Sequence, residues 1–489
     1  MCKRLLAVLL MCSMLLGVAC ISVSAAEGAY DGAPLIVISG FGTVPLYLNA
    51  NTDEAERVFF PSAKRIAKNA VQALQPLYRL RRDGDYGRFA DAFDPLVMDI
   101  FSQSVLDASG NSIRNVSVRT FPLTADHYMD FFEQRPKDEE ALVRGAIDTL
   151  GGKNTYFFSY DWRLDPMDHA VSLHEYIQNV QTQTGKQKVI LAGCSMGGVV
   201  AMAYLSKYGA KDVQTLLLDN TAFQGVTMVG EMFCKEYAVD KQMTLEYAMQ
   251  FTQMPEELKS WLRAAFARSR AADKLVDFAG KLLDNTKDQT SADVLYPLFA
   301  YMPGIWSFVT ARDYERAKQC ALDPDVNREL IRKIDVYHYG VQVKAKQLLQ
   351  KAIGQGCRIA ITANYGKFAI PLTKSMRVCD DYLIDTALAS GGAVCADVFE
   401  TLPESYVQKR DRKHNHIAPD RVIDASTCMF PEYTWFVRDM GHLDYPYGSE
   451  GMDFLMWLIR MDTQYTIRTD TRYPQFMKYD VKEKTLTAQ

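Results

Sequence analysis

The sequence lacks a large excess of charge of either sign, and it lacks the cysteine spacing of a zinc site. Its 55 Lys and Arg residues face 59 Asp and Glu residues, for a net charge of -4. No basic face is implied, which argues against a nucleic-acid partner. No Cys-x-x-Cys pair occurs. At 48% hydrophobic and 23% charged residues, the composition is that of an ordinary globular protein.

The N-terminal segment has the pattern of a secretory signal. Lys3 and Arg4 precede an almost wholly apolar run over residues 5 to 23, which ends in Val-Ser-Ala-Ala. Charged, hydrophobic and small-residue regions in this order predict a signal peptide over residues 1–26 and a secreted or cell-envelope protein. Two alternatives stay open. The run is nearly long enough to remain as a membrane anchor, and Gly17-Val-Ala-Cys20 distantly resembles a lipoprotein cleavage site.

Seven of the ten cysteines lie beyond the predicted signal, and one of them, Cys194, lies beside a candidate nucleophile. The other six form an even set, so disulfides can form in an exported chain. Six separate buried thiols are the alternative, and the sequence does not rank the pairings. The six are Cys234, Cys320, Cys357, Cys379, Cys395 and Cys428.

A β-branched apolar run from Lys188 ends abruptly in Gly193-x-Ser195-x-Gly197, and small and apolar residues follow up to Gly209. This pattern predicts a buried parallel strand, a sharp turn and a packed helix. Two glycines without Cβ atoms allow a turn tight enough to project the Ser195 hydroxyl above the sheet edge. The pentapeptide alone is common in glycine-rich loops, so the flanking strand and helix carry the prediction of a nucleophile elbow.

A second apolar run, residues 34–42, also ends in glycines and predicts a central strand followed by a loop close to the substrate. In a serine hydrolase, backbone N–H groups stabilise the oxyanion of the tetrahedral intermediate. One comes from the residue after the nucleophile and one from such a loop. We therefore predict an oxyanion hole of Phe41 and Met196. A glycine-rich turn without a catalytic part is the alternative.

The order of the remaining segments indicates an α/β-hydrolase fold, with a mostly parallel doubly wound sheet and a helical cap or lid insertion. Strands and helices alternate through the chain, as parallel sheets require. The predicted strands are residues 155–159, 215–219, 357–363 and 433–437, and the predicted helices are residues 167–184 and 452–459.

Two insertions interrupt this core. Residues 44–115 are too long for a simple connection. Residues 227–350 show helical spacing without strands and include an exposed-looking apolar stretch, Leu298–Phe308, so we predict a cap over the active site. The core then comprises residues 27–226 and 351–489, the latter ending in a polar tail after Asp462.

A serine nucleophile needs a histidine base and an acid, in the chain order Ser, acid, His. Only His442 follows a late strand, so it is the predicted base. His414 and His416 have ligand-like spacing, but without a clear partner set they are interpreted as a solvated loop, and no metal or cofactor is predicted. Asp380, Asp381 and Asp385 compete for the acid, and Asp219 is an alternative after an earlier strand.

Three segments resemble the lecithin:cholesterol acyltransferase-like family of α/β-hydrolases, which includes lysosomal phospholipase and bacterial lipase-like relatives. They are Ser39-Gly-Phe-Gly42, Tyr160-Asp-Trp-Arg163 and the cap segment Leu298–Trp306. The family's acid lies in an Asp-Gly-x-Val-Pro segment, which implies Asp381 here. Tyr382 and Asp385 depart from that pattern, so Asp385 remains the runner-up.

The resemblance implies an exported serine acyl hydrolase or acyltransferase that acts on lipid esters through Ser195, Asp381 and His442. It also implies contact between the cap and a membrane surface, and Trp162 either lines the acyl site or is a core residue. Two other functions stay open: an esterase for acylated polysaccharide or small polar esters, and a binding protein on a hydrolase scaffold. The sequence does not distinguish water from an alcohol as acyl acceptor, and it gives no oligomeric state.

Overall fold

An eight-stranded sheet forms the centre of this computed structural model, which describes residues 30–59, 63–135, 140–252, 254–411, 413–442 and 445–489. Ala33–Gln489 forms a compact unit of its own. The predicted signal peptide lies outside the described residues. Among the described residues, no helix combines the length and apolar character needed to cross a membrane.

The strands of the sheet are, in chain order, β1 Leu35–Ile38, β2 Thr155–Phe158, β3 Val189–Cys194, β4 Val213–Asp219, β5 Arg358–Tyr365, β6 Thr434–Arg438, β7 Phe476–Asp480 and β8 Thr485–Ala488. Their order across the sheet is β8-β7-β6-β5-β4-β3-β1-β2. All neighbours are parallel except β7 and β8, which are antiparallel. The central strands are buried on both faces, which explains their continuous apolar sequences.

Two groups of helices cover this sheet. These helices are α1 Ala141–Leu150, α2 Pro166–Thr184, α3 Met196–Tyr208, α4 Ala345–Gly354 and α5 Glu450–Ile459. In one group α1 packs with α5, and in the other α2 and α4 pack against α3. The mostly parallel α/β architecture expected from the sequence is confirmed.

The first insertion contains a small antiparallel sheet and two long helices. The strands are Leu46–Leu48, Glu56–Arg57 and Val116–Val118, and the helices are Ala63–Asp83 and Tyr86–Phe101. A short helix, Met129–Glu133, follows before α1.

The second insertion connects β4 to α4 and contains helices and no strand among its described residues. Its α-helices are Thr227–Phe233, Lys241–Gln250, Glu256–Ala267, Arg270–Thr290, Pro303–Trp306, Tyr314–Ala321 and Arg328–Tyr337, and its π-helices are Ser291–Ala300 and His338–Gln342. The expectation that Leu298–Phe308 is exposed is wrong. Leu298, Met302 and Trp306 are buried, because this stretch packs inward against the core.

The expectation of a polar C-terminal tail is also wrong. After Asp462 the chain forms β7 and β8, and β7 extends the sheet beside β6. The sequence pattern of this pair is weak because β8 lies at the edge of the sheet and has one buried residue, and β7 includes two exposed positions. Between β5 and β6 lie Thr386–Ala389, a helix, and the paired strands Val394–Cys395 and Ile423–Asp424.

Candidate active site

Ser195 lies at the sharp turn between β3 and α3. Its backbone has φ 54° and ψ -120°, a region that non-glycine residues rarely adopt. A Cβ at Gly197 would lie 2.2 Å from the Ile38 carbonyl oxygen, and one at Gly193 would lie 2.8 Å from Gly198. Both positions therefore require glycine, because the helix starts directly against β1. The sequence Gly193-x-Ser195-x-Gly197 thus forms a strained strand-to-helix turn with the serine at its apex.

His442 follows β6, and its Nδ1 lies 2.8 Å from Oδ2 of Asp381. The other oxygen of Asp381 accepts the backbone N–H groups of Leu383 at 3.0 Å and Ile384 at 2.8 Å. A carboxylate that accepts on both oxygens makes Nδ1 of His442 the donor. Nε2 then carries a lone pair, as a general base requires.

The competing carboxyls have other partners. Asp385 accepts the backbone N–H of Thr227 at 2.9 Å, and burial raises its pKa. Asp219 accepts the hydroxyl of Thr362 at 2.6 Å, and burial raises its pKa to about 6. Burial, followed by repulsion from the neighbouring carboxyls, raises the pKa of Asp380 well above its usual range. Of the four candidates, the structure brings Asp381 to the histidine.

Tyr382 supports the histidine from the residue next to the acid. Its hydroxyl donates to the backbone carbonyl oxygen of His442 at 3.1 Å. Its φ of 77° lies in the left-handed region that favours glycine. Tyr382 therefore adopts a backbone conformation that non-glycine residues rarely adopt, and its hydroxyl adds a hydrogen bond to the histidine loop.

Phe41 and Met196 lie on either side of Ser195. Met196 is the first residue of α3, so its N–H has no acceptor within the helix. Phe41 follows β1, and the preceding Gly40 lies close enough that a Cβ there would be 3.2 Å from the Cβ of Ser195. The two backbone segments predicted to form the oxyanion hole thus flank the serine.

The Tyr160-Asp-Trp-Arg163 segment supports these loops. The hydroxyl of Tyr160 donates to the carbonyl oxygen of Ser39 at 2.9 Å, next to the oxyanion loop. Arg163 is fully buried, pairs with Asp161 and donates to the carbonyl oxygen of Ser104 at 2.9 Å. The sequence analysis singled out this segment by its resemblance to a family motif and assigned it no structural role. In the structure it holds the loop after β1 in place.

Ser195 and His442 line one cavity of about 250 Å³. Every other described residue that lines it is apolar, and most of these residues come from the helical insertion between β4 and α4. These residues are Phe41, Ala222, Val226, Met228, Val229, Met232, Phe233, Leu295, Phe299, Ile305, Phe308, Leu383 and Ile384.

Trp162 is not among the residues that line this cavity. It is buried behind the residues that line the cavity. The centroid of its ring lies 4.2 Å from the ring centroid of Phe41 and 4.7 Å from that of Phe59. The structure therefore places Trp162 in the core packing that supports Phe41. A larger cavity of about 830 Å³ lies beyond Phe41, but the Ser195 side chain does not line it, so the chemistry belongs to the smaller cavity.

His414 and His416 lie outside this cavity, and the expectation of a wholly solvated loop is wrong for His416. Its side chain is fully buried, whereas that of His414 is 48% exposed. Asp411 and Glu432 complete a cluster with them. Glu432 could not be recognised as a partner from sequence spacing, because it lies beyond the strand Ile423–Asp424.

Four of the cysteines lie close enough together to form two pairs, Cys234 with Cys320 and Cys379 with Cys395. Burial and the adjacent Cys320 thiol raise the pKa of Cys234 to about 12. The adjacent Cys379 thiol and burial raise the pKa of Cys395 well above its usual range. All seven described cysteines are free thiols in this structure, and two pairs of them lie side by side.

Comparison with known proteins agrees with this architecture. The family model of the α/β-hydrolase fold matches residues 136–263, which include the Ser195 turn. None of the curated proteins matches the chain.

Three solved structures illustrate the similarity. The N-acyl homoserine lactonase AidH, complexed with N-butanoyl homoserine, is 12% identical, with 66% of this chain and 87% of that chain covered and a TM-score of 0.26. The 2-hydroxy-6-oxo-6-phenylhexa-2,4-dienoate hydrolase from Rhodococcus sp. strain RHA1 is 12% identical, with 65% and 83% covered and a TM-score of 0.25. An esterase from Exiguobacterium antarcticum is 15% identical, with 41% and 86% covered and a TM-score of 0.16. The sheet topology, the strained serine turn and the family match together show that this chain has the α/β-hydrolase fold.

Proposed function

We propose that this protein is an exported serine hydrolase or acyltransferase that cleaves esters of long apolar acyl chains, as lipases and phospholipases do. The observation that carries the proposal is the cavity at Ser195. Among the described residues, Ser195 and His442 are the only polar ones that line it, which suits an apolar group beside the nucleophile. The sequence resemblance to the lecithin:cholesterol acyltransferase-like family supports the same substrate class.

In the proposed reaction, Nε2 of His442 removes the hydroxyl proton of Ser195 as the serine oxygen attacks the ester carbonyl. Asp381 holds the imidazole in the required tautomer and stabilises it while it is charged. The N–H groups of Phe41 and Met196 bind the oxyanion. His442 then protonates the leaving alcohol, and water or a second alcohol releases the acyl group from Ser195.

The size of the cavity limits what enters it. Its volume of about 250 Å³ is below the roughly 300–1,000 Å³ typical of pockets for drug-sized ligands. The cavity therefore suits one acyl chain, and the head group of a lipid would stay outside. The apolar insertion helices around the opening are the surface that would contact a lipid aggregate.

A series of p-nitrophenyl esters from acetate to palmitate tests the substrate class. We expect kcat/KM to rise with acyl length in the wild type, and detergent-dispersed phospholipid to be cleaved as well. Val229→Trp fills part of the cavity and should shift the preference towards short esters. Val326→Trp adds the same bulk at an exposed position of the insertion and should leave the profile unchanged.

Activity confined to acetyl esters, with no effect of Val229→Trp, would contradict the lipid proposal and favour an esterase for small polar esters. Adding an alcohol and measuring the ester formed would distinguish transfer from hydrolysis, because both use the same acyl-enzyme.

A further inference from the structure

We propose that Asp411, His414, His416 and Glu432 bind a divalent transition-metal ion, with Zn²⁺ the best match. One ligand atom from each side chain lies within 4.8 Å of the others. None of the four lines the Ser195 cavity, so this is a second site with a structural role.

The four residues come from two parts of the chain that meet beside the sheet. Asp411, His414 and His416 lie in the loop between the strands Val394–Cys395 and Ile423–Asp424. Glu432 lies in the turn Pro431–Tyr433, directly before β6. A bound ion would therefore tie the loop to the start of the strand that leads to His442.

Gln475 fixes the orientation of the buried His416 ring. Nδ1 of His416 lies 2.7 Å from Oε1 of Gln475, while Nε2 of the same amide donates to the carbonyl oxygens of Pro431 and Thr434. The amide oxygen must therefore face the ring, which makes Nδ1 the donor. Metal-binding histidines commonly have such a partner on the nitrogen that faces away from the metal.

The other nitrogen of His416 then turns its lone pair towards acceptors. Nε2 lies 3.1 Å from Oδ2 of Asp411 and 3.6 Å from Oε1 of Glu432. A lone pair facing two carboxylate oxygens is unfavourable unless a cation lies between them. The cation is either a metal ion or a proton on the ring, and the remaining geometry favours the metal.

The distances between the ligand atoms favour a metal ion. Nδ1 of His414 lies 3.0 Å from Oδ2 of Asp411, in addition to the two distances from Nε2 of His416 to Asp411 and Glu432. Metal–ligand bonds of about 2.0–2.2 Å in a tetrahedron place neighbouring ligand atoms about 3.3 Å apart. The three separations, 3.0, 3.1 and 3.6 Å, surround that value.

The donor set selects the class of ion. Two imidazole nitrogens and two carboxylate oxygens suit Zn²⁺ and its transition-metal neighbours, whereas Mg²⁺ and Ca²⁺ prefer oxygen ligands alone. The second oxygen of Glu432 is bound by Arg468, which leaves Oε1 for the ion. The partly exposed side chains of His414 and Asp411 provide an entry path from solvent.

Zn²⁺ titration of the full-length mature chain after dialysis against EDTA tests the proposal by calorimetry. We expect one Zn²⁺ per chain and a rise in Tm on binding, with no response to Mg²⁺. His414→Ala should weaken Zn²⁺ binding at least tenfold and remove the rise in Tm. Asp411→Asn should act in the same direction, and both variants should fold, because the changed side chains are partly exposed.

His127→Ala is the matched control. His127 is also an exposed histidine, with Nδ1 3.2 Å from a carboxylate oxygen of Asp126, but no further ligands surround it among the described residues. This variant should bind Zn²⁺ as the wild type does. Absence of stoichiometric binding in the wild type would show that a proton on His416 holds the cluster together and would overturn the proposal. Equal binding by His414→Ala would also overturn it.

Discussion

Asp381 and His442 are 61 residues apart in sequence, and the structure places Oδ2 of one 2.8 Å from Nδ1 of the other. Asp385, four residues further on, instead accepts the backbone N–H of Thr227 at the start of the helical insertion. These two carboxylates therefore have different tasks: one orients the base, and the other attaches the insertion to the core.

Asp381→Asn should lower kcat for ester hydrolysis by about 10⁴-fold, by analogy with the equivalent change in a serine protease triad. An amide in place of the carboxylate favours the wrong tautomer of His442. Asp385→Asn keeps the base oriented, so it should reduce kcat much less and act mainly by lowering Tm. Steady-state kinetics and thermal melts of both variants would check this, and the reverse order of the two kcat values would move the acid to Asp385.

Tyr382→Phe should lower kcat about fivefold, because a hydrogen bond contributes about 1 kcal/mol and this one holds the carbonyl of His442. KM should change little, since Tyr382 is not among the residues that line the cavity. The control is Tyr406→Phe, which removes a hydroxyl bonded to Asp424 at 2.9 Å. An unchanged kcat in Tyr382→Phe would show that the histidine loop needs no such support.

The buried carboxyl of Asp219 makes the stability of the protein depend on pH. Burial raises its pKa from 3.8 to about 6, so the folded state holds this proton more tightly than the unfolded state does. The stabilisation is complete below the unfolded pKa of 3.8 and is lost as the pH rises through about 6. At about 1.4 kcal/mol per pKa unit, the full loss is about 3 kcal/mol, most of which falls between pH 4 and pH 7.

Asp219→Asn removes this titration. We would therefore measure the free energy of unfolding in urea for both proteins. The value for the variant minus the value for the wild type should increase by up to about 3 kcal/mol between pH 4 and pH 7. Parallel pH profiles for the two proteins would contradict the assignment of a raised pKa to Asp219.

The serine turn could be predicted from the sequence because its signals are local. A continuous apolar run indicates a strand buried on both faces, and the two glycines reflect direct contacts of that turn with β1 and α3. His442 could also be predicted from the sequence, since it follows the strong strand pattern of β6. For the acid, the residues alone left Asp380, Asp381 and Asp385 open. The family resemblance implied Asp381, and the folded loop places this carboxylate beside His442.

Other features depend on contacts between distant segments and could not be predicted. Burial of His416 depends on Gln475, 59 residues further along, in a stretch whose polar composition suggested a tail. The edge strand β8 has one buried residue and β7 includes two exposed ones, so the apolar patterns of both strands are weak. A tryptophan such as Trp162 is suited both to a binding site and to a core. Its packing against Phe41 and Phe59 shows that it belongs to the core.

Ser195 is proposed as a nucleophile that His442 activates. Labelling of the mature protein with a fluorescent fluorophosphonate tests this role, because the probe reacts with an activated serine and does not require the correct acyl chain. We expect one label per chain at Ser195, with none in Ser195→Ala and a rate reduced by at least about 10³-fold in His442→Ala. Equal labelling of the wild type and Ser195→Ala, or no labelling of correctly folded wild type, would show that Ser195 is not an activated nucleophile.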